Sequence, residues 1–187
     1  MRIETERLIL RPWSPGDLPA MHRILGNQDV SRPLNKVPYP LDIEWTRARL
    51  QYTLAKNNEG AKHSFALTLR ESSAVVGLIE IGIGPPGSGG NNSNLSCGTL
   101  GYWLCKNCWG FGLMTEAGEA TVEFGFKELG LSQIKAQYRV GNDTSARVLL
   151  KLGFTRTGMS RKFSETLGTF TDIWNTMLPR TDWEALQ

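Results

Sequence analysis

Residues 102–117 read YWLCKNCWGFGLMTEA: an apolar strand end, a turn, two glycines and the start of a helix. Tyr102, Trp103 and Leu104 suit the end of a buried strand. Lys106, Asn107 and Cys108 turn the chain, Gly110 and Gly112 bracket Phe111, and a helical pattern begins at Leu113. Strand, glycine-bearing turn and helix start in that order make a natural anion site. The first turn of a helix leaves backbone N–H groups without partners and carries a partial positive charge. Glycines let a phosphate approach those amides without meeting a side chain. Taken alone, Gly-x-Gly also fits a plain tight turn.

Two common phosphate motifs are excluded. The dinucleotide fingerprint requires a third glycine where this chain has Thr115, and an acid after the next strand, where it has Asn142. The P-loop requires Gly-Lys, a dipeptide that the chain lacks. With 187 residues the chain is long enough for one compact domain with a true core. Apolar content of 40 % and charged content of 21 % argue against wholesale disorder. A net charge of +3 tolerates an anionic ligand and gives no mandate for nucleic acid. No apolar run approaches the roughly 20 residues of a membrane span. The first ten residues, MRIETERLIL, have acids where a signal peptide has a basic end and an apolar core. The expectation is a cytoplasmic protein without a membrane partner. Cys97, Cys105 and Cys108 are an odd count and do not suggest a disulfide framework. Cys105 and Cys108 have C-x-x-C spacing, but further zinc ligands would have to come from the poorly spaced Cys97, His22 and His63. Ordinary thiols and no metal are expected, with a redox motif that lacks its usual setting as the alternative.

Elsewhere the chain reads as alternating short elements. Residues 3–11 suit a first strand, and Ser14 with Asp17 heads a helix that ends near Leu25. Residues 29–40 carry three prolines and form an ordered loop, after which Asp42 caps a second helix to about Asn57. Strands follow at 63–69 and 74–83. The second has Ile79, Ile81 and Ile83 on one face and Leu78, Glu80 and Gly82 on the other. Residues 84–96, rich in Gly, Pro, Ser and Asn, suit a flexible hairpin loop, and residues 97–104 the central strand. The main helix covers 113–129, with Ala117, Ala120, Thr121 and Phe124 inward and Glu116, Glu119 and Glu123 outward. Glu123 and Lys127 make an i,i+4 pair. A strand over 133–140 and a short helix over 143–152, capped by Asn142 or Asp143, come next. Strands at 154–163 and 169–178 and a loose tail from Pro179 complete the pattern. The strand–helix–strand unit in the second half should hold two neighbouring strands parallel through a right-handed crossover.

Four pieces in register resemble the GNAT superfamily of acyl-CoA-dependent N-acetyltransferases. They are Thr5-Glu6-Arg7-Leu8-Ile9-Leu10-Arg11; Gly101-Tyr102-Trp103-Leu104; Trp109-Gly110-Phe111-Gly112 with Met114-Thr115-Glu116-Ala117; and Asn142-x-x-Ser145 leading to Leu152-Gly153-Phe154. The chain is most similar to the RimJ/RimL-like branch, which acetylates the N-terminal residues of ribosomal proteins. The resemblance spans nearly the whole chain. It implies a single domain of mixed α/β (α+β) class. Its central sheet would be mostly antiparallel and twisted, with about seven strands splayed in the middle and about four flanking helices. It implies acetyl-CoA as co-substrate. Backbone amides of Trp109, Gly110, Phe111, Gly112, Leu113 and Met114, with Asn107, Cys108 and Thr115 beside them, would hold the pyrophosphate. The backbone of Trp103 and Leu104 would bind the pantetheine arm as an added strand, and one of its amides would polarise the thioester carbonyl. Asn142 would bond the pantetheine amides. Two positions depart from the family pattern. Asn107 stands where Gln or Arg is preferred, and Leu149 stands where many relatives carry a tyrosine acid. As in the ribosomal branch, Ser145 is then the candidate to protonate the departing thiolate.

The acceptor amine must lose a proton before it can attack. Glu80, a carboxylate in an otherwise apolar strand near the splay, is the candidate base; a solvent-facing edge carboxylate is the plain alternative. Tyr102 either orients the substrate or fills the core. His63 reads as a surface residue. Arg147 and Lys151 read as a solvated face within reach of CoA phosphates. Trp45, Trp109 and Trp174 are core aromatics that could also line an acceptor groove. The expected activity is acetyl transfer to a primary amine by direct attack. The acceptor is a peptide, such as a protein N-terminus, or a small molecule such as an aminoglycoside, a polyamine or an amino acid. The alternative is a catalytically silent acyl-CoA sensor, which the residues at Asn107 and Leu149 would suit. Loops 29–40 and 84–96 should shape the acceptor pocket. The protein is expected to be a monomer or a homodimer.

Overall fold

The structure, a computed structural model, describes residues 1–85 and 96–187, so most of the expected 84–96 loop lies outside the described residues. In chain order the elements are β1 (Ile3–Glu4), β2 (Leu8–Pro12), α1 (Leu18–Leu25), α2 (Gln28–Ser31), α3 (Ile43–Asn58), β3 (Lys62–Leu69), β4 (Val75–Ile83), β5 (Cys97–Leu104), α4 (Leu113–Lys127), β6 (Gln133–Arg139), α5 (Asp143–Lys151), β7 (Thr155–Ser164), β8 (Thr169–Pro179) and α6 (Arg180–Glu184). Eight strands form one sheet in the order β1-β2-β3-β4-β5-β6-β8-β7. Every neighbouring pair is antiparallel except β5 and β6, which run parallel.

Local chemistry accounts for the helix starts. Ser14 and Asp17 form a capping box ahead of α1. Asp42 Oδ1 accepts from the Glu44 amide at 3.1 Å and starts α3. Asn142, rather than Asp143, caps α5, its Oδ1 accepting from the Ser145 amide at 3.2 Å. The apolar alternation of β4 feeds two cores. Ile79 and Ile81 pack with Phe124 of α4 and Leu149 of α5. Leu78 faces the opposite way, with Met21 of α1 and Leu50 of α3. The sheet is therefore covered on both faces. Helix α4 sits close to it: a Cβ on Gly125 would lie 2.7 Å from Ile81 Cδ1, so a side chain there would force the core to shift.

Five expectations are corrected. The first strand is a hairpin, β1 and β2, because Thr5 closes a turn by bonding Leu8 N–H through Oγ1 at 3.1 Å; this makes eight strands rather than about seven. Among the described residues there are six α-helices rather than about four, the additions being the short α2 and α6. The tail is not loose: α6 buries Trp183 against Phe126, ring centroids 5.0 Å apart. Glu116 does not face outward; its side chain is 14 % exposed and is bonded to the N-terminal turn. Cys105 and Cys108 are not ordinary thiols. The 3-10 turn Lys106–Cys108 brings their Cα atoms to 5.4 Å, and the two form a disulfide. The Glu123–Lys127 pair is present, at 2.6 Å.

Candidate active site

The site begins where two parallel strands part. Pairing between β5 and β6 runs from Cys97↔Gln133 to Leu100↔Ala136 and stops. On its other side β5 stays paired with β4 as far as Leu104↔Gly77. The edge of β5 beyond Leu100 is therefore left open towards β6, and a cleft of about 850 Å³ occupies the splay. Its walls are the end of β5 (Tyr102, Trp103, Leu104), the turn and first residues of α4, the segment from Arg139 through Ser145 into α5, and residues 29–34.

The turn into α4 is built on two left-handed glycines, Gly110 with φ of 85° and Gly112 with φ of 79°. The first bond closing onto α4 runs from Glu116 N–H to Gly112 O at 3.0 Å. Helix geometry leaves the amides before it without i−4 partners. Trp109 anchors the turn to the strand end, its Nε1 donating to Leu104 O at 2.8 Å. Four cations, Lys106, Arg139, Arg147 and Lys151, lie on the cleft wall with one acid, Asp29, which is ion-paired to Lys106. Glycine turn, helix start and excess positive charge together suit a diphosphate.

Across the splay Tyr102 meets Ser145. Their side-chain oxygens are 2.7 Å apart, and the Tyr102 hydroxyl is also 3.2 Å from the Ser145 carbonyl. Burial pushes the Tyr102 phenol up to about 12, against the opposing pull of its hydrogen bond to Ser145, so it stays neutral and keeps its proton near neutral pH. When Tyr102 donates to Ser145 Oγ, the serine hydrogen is left for another acceptor. Asn142 spends its Oδ1 on the cap of α5; among the described residues no partner takes its Nδ2 donors.

Comparison with known proteins agrees with this geometry. The GNAT acetyltransferase domain matches residues 7–155. The chain belongs to the GNAT family of acetyltransferases. Two curated relatives are an uncharacterized N-acetyltransferase, p20, of Bacillus licheniformis, and the [ribosomal protein uS5]-alanine N-acetyltransferase of Escherichia coli. The first is 26 % identical over 91 % of this chain and 91 % of its own length. The second is 25 % identical over 98 % of this chain and 93 % of its own. Among solved structures, RimL, a ribosomal-protein alpha-N-acetyltransferase in complex with coenzyme A, superposes with a TM-score of 0.82. It is 20 % identical and covers 96 % of this chain and 98 % of its own, a likeness of fold. The protein is an acetyl-CoA-dependent N-acetyltransferase of mixed α/β GNAT fold.

Within this GNAT cleft stand Tyr102, Trp103, Leu104, Cys108, Trp109, Gly110, Gly112, Leu113, Met114, Thr115, Asn142 and Ser145. Asn107 and Phe111 are exposed and do not line it. Glu80 is not among the lining residues either. It alternates with Ile79 and Ile81 and so faces α3, where Lys62 Nζ lies 2.8 Å and Arg49 Nη2 3.7 Å from its Oε1. Its Oε2 is buried without a hydrogen-bond partner. Glu80 pairs across the sheet with Gly101, the residue where the splay opens. Glu80 and Ser145 thus approach the splay from opposite faces.

Other candidates sort by contact. His63 packs edge-on to Phe124 at 5.2 Å, and burial lowers its pKa. Trp174 carries the Arg156 guanidinium 4.4 Å above its ring, and Trp45 packs into the core beneath α1 and α3. Arg147 and Lys151 both border the cleft. Leu149 is buried. Three residues without an assigned role in the sequence reading touch the α4 start: Thr5, Arg7 and Glu116. Their sequence signals are the run TERLILR, which holds Thr5 and Arg7, and Met114-Thr115-Glu116-Ala117, which holds Glu116. Among the described residues no cluster of three His, Cys, Asp or Glu side chains could hold a metal, and no helix is long and apolar enough to cross a membrane.

Proposed function

We propose that this single-domain, cytoplasmic GNAT enzyme transfers acetyl from acetyl-CoA to the α-amine of a protein or peptide N-terminus. The observation that carries the chemistry is one cleft that joins a free strand edge, a glycine turn at a helix start and the Tyr102–Ser145 pair. The relative that acts on a ribosomal-protein alanine, alignable over 98 % of this chain, supports the acceptor class.

The residues present suit acetyl-CoA. Amides from Trp109 to Met114, with Thr115, Cys108 and the neighbouring cations, would hold its diphosphate. Backbone groups of Trp103 and Leu104 and the Asn142 side chain would hold the pantetheine arm. When bound, acetyl-CoA supplies a thioester whose carbonyl carbon accepts the amine nitrogen as the carbon–sulfur bond breaks. Glu80, directly or through a water, takes the proton that the amine must shed. Ser145 gives its hydroxyl proton to the departing sulfur while Tyr102 donates a hydrogen bond to that oxygen, and solvent water returns a proton to the serine.

Thiol release from acetyl-CoA, measured across peptides of different N-terminal residue beside small amines and aminoglycosides, tests the reading. Release with peptides alone is the expected result. Release with small amines alone would overturn the acceptor class. Silence across the panel, with acetyl-CoA still bound, would favour a sensor role.

A further inference from the structure

The turn between β1 and β2 reaches the glycine turn through one side chain. Arg7 Nε donates to Glu116 Oε2 at 2.7 Å, and its Nη1 donates to the Phe111 carbonyl at 2.8 Å. The Arg7 amide donates to Glu116 Oε1 at 2.8 Å, and Thr5 Oγ1 donates to the same oxygen at 2.5 Å. Glu116 therefore commits both oxygens to residues 5–7.

This arrangement answers two physical problems of the α4 start. The first is rigidity. Gly110, Phe111 and Gly112 are exposed, so burial does not hold them. A bond to the Phe111 carbonyl fixes the plane of the peptide between Phe111 and Gly112, and in a trans peptide the Gly112 N–H points the opposite way from that carbonyl. The second is charge. A carboxylate in the first turn of a helix competes with a bound anion for the same partial positive charge. Arg7 neutralises Glu116 and turns it onto the N-terminal hairpin.

We propose that Arg7 is a positioning residue for the diphosphate turn, acting through the Phe111 carbonyl and Glu116. The proposal rests on the reading of that turn as the acetyl-CoA diphosphate site. It extends the cofactor site to a hairpin whose Arg7 precedes Phe111 by 104 residues and that lines no part of the cleft.

Calorimetric titration with acetyl-CoA and with S-acetylpantetheine, which lacks the diphosphate, separates a positioning role from a merely structural one. Arg7→Ala should weaken acetyl-CoA binding about tenfold, the scale of one charge-assisted hydrogen bond, and leave S-acetylpantetheine binding within about twofold. Arg7→Lys guards against a folding failure. It keeps the ion pair with Glu116 but cannot span both acceptors, and it should show a smaller loss of the same selectivity. Equal losses for both ligands, or no loss, would overturn the role of Arg7. Wild-type protein that gains nothing from the diphosphate would overturn the reading of the turn itself, and this role with it.

Discussion

Tyr102 and Ser145 lie 43 residues apart in the chain, yet their side-chain oxygens meet at 2.7 Å across the splay. Neither oxygen alone is a convincing acid at neutral pH. In the proposed mechanism the pair acts together: Tyr102 donates to the Ser145 oxygen and steadies it as Ser145 gives up its own proton. Ser145→Ala should lower kcat by roughly 100-fold, the lower range for a positioned acid, with little change in acetyl-CoA affinity. Steady-state kinetics beside calorimetry will check this. A kcat within twofold of wild type would assign the proton to water.

The same pair sets an alkaline limit. The Tyr102 phenol sits at about 12 in the fold because burial disfavours its anion, against about 10 in an unfolded chain. Below pH 10 both states keep the proton, so Tyr102 adds no pH dependence. Between 10 and 12 the unfolded chain loses it first, and stability falls as pH rises. Denaturant midpoints should therefore decline more steeply over that window in the wild type than in Tyr102→Phe. Parallel declines would count against the burial argument.

Gly112 tests the anion site. Its φ of 79° lies in the left-handed region, and a Cβ there would stand 3.6 Å from Arg7 Nη2. Gly112→Trp should fill the approach to the α4 amides and abolish acetyl-CoA binding, with S-acetylpantetheine affected far less. Retained affinity for acetyl-CoA in a titration would remove the diphosphate assignment.

The legible parts of this protein are those determined within a few residues. Asn142 announces a helix cap, Gly110 and Gly112 announce a turn, and the alternation of Ile79, Ile81 and Ile83 announces a strand with two distinct faces. Residues whose partners are remote escaped. Glu116 has the same spacing as the exposed Glu119 and Glu123, and nothing local separates them. Its partner Arg7 is 109 positions away. The hairpin at Thr5 has no Gly, Pro, Asn or Asp to announce its turn. Trp183 looks like part of a polar tail until Phe126 is placed beneath it. The splay was foreseen by resemblance, and its location shows only in the register, where pairing ends at Leu100.

Glu116 also carries an acid sensitivity. Partial burial pushes its carboxyl up, but the Thr5 hydroxyl, the Arg7 amide and the Arg7 guanidinium outweigh this and hold it below the usual range. A depressed carboxylate stabilises the fold above its unfolded pKa, and that contribution is lost as pH falls through the folded value. Between wild type and Glu116→Gln, the difference in denaturant midpoint should be constant near neutrality. It should shrink below about pH 4. A difference that stays constant down to pH 2 would show that the carboxylate gains nothing from its partners.

Glu80 presents the sharpest choice. It lies on the face of the sheet away from the cleft, beside two cations, and has one buried oxygen without a partner. An ion pair with Lys62 and Arg49 would be reason enough for a carboxylate in this strand. A base needs more: an unoccupied lone pair within reach, directly or through a water, of an amine entering at the splay. The Oε2 without a hydrogen-bond partner and the cross-strand pairing with Gly101 are the two observations that favour the base reading. Glu80→Gln keeps the shape and removes the basicity. If Glu80 is the base, kcat/KM should fall by about 100-fold and the acid limb of the pH–rate profile should disappear. If Glu80 only balances its two cations, the variant should lose stability while the acid limb survives, and the search for the base would move to the loops that border the acceptor.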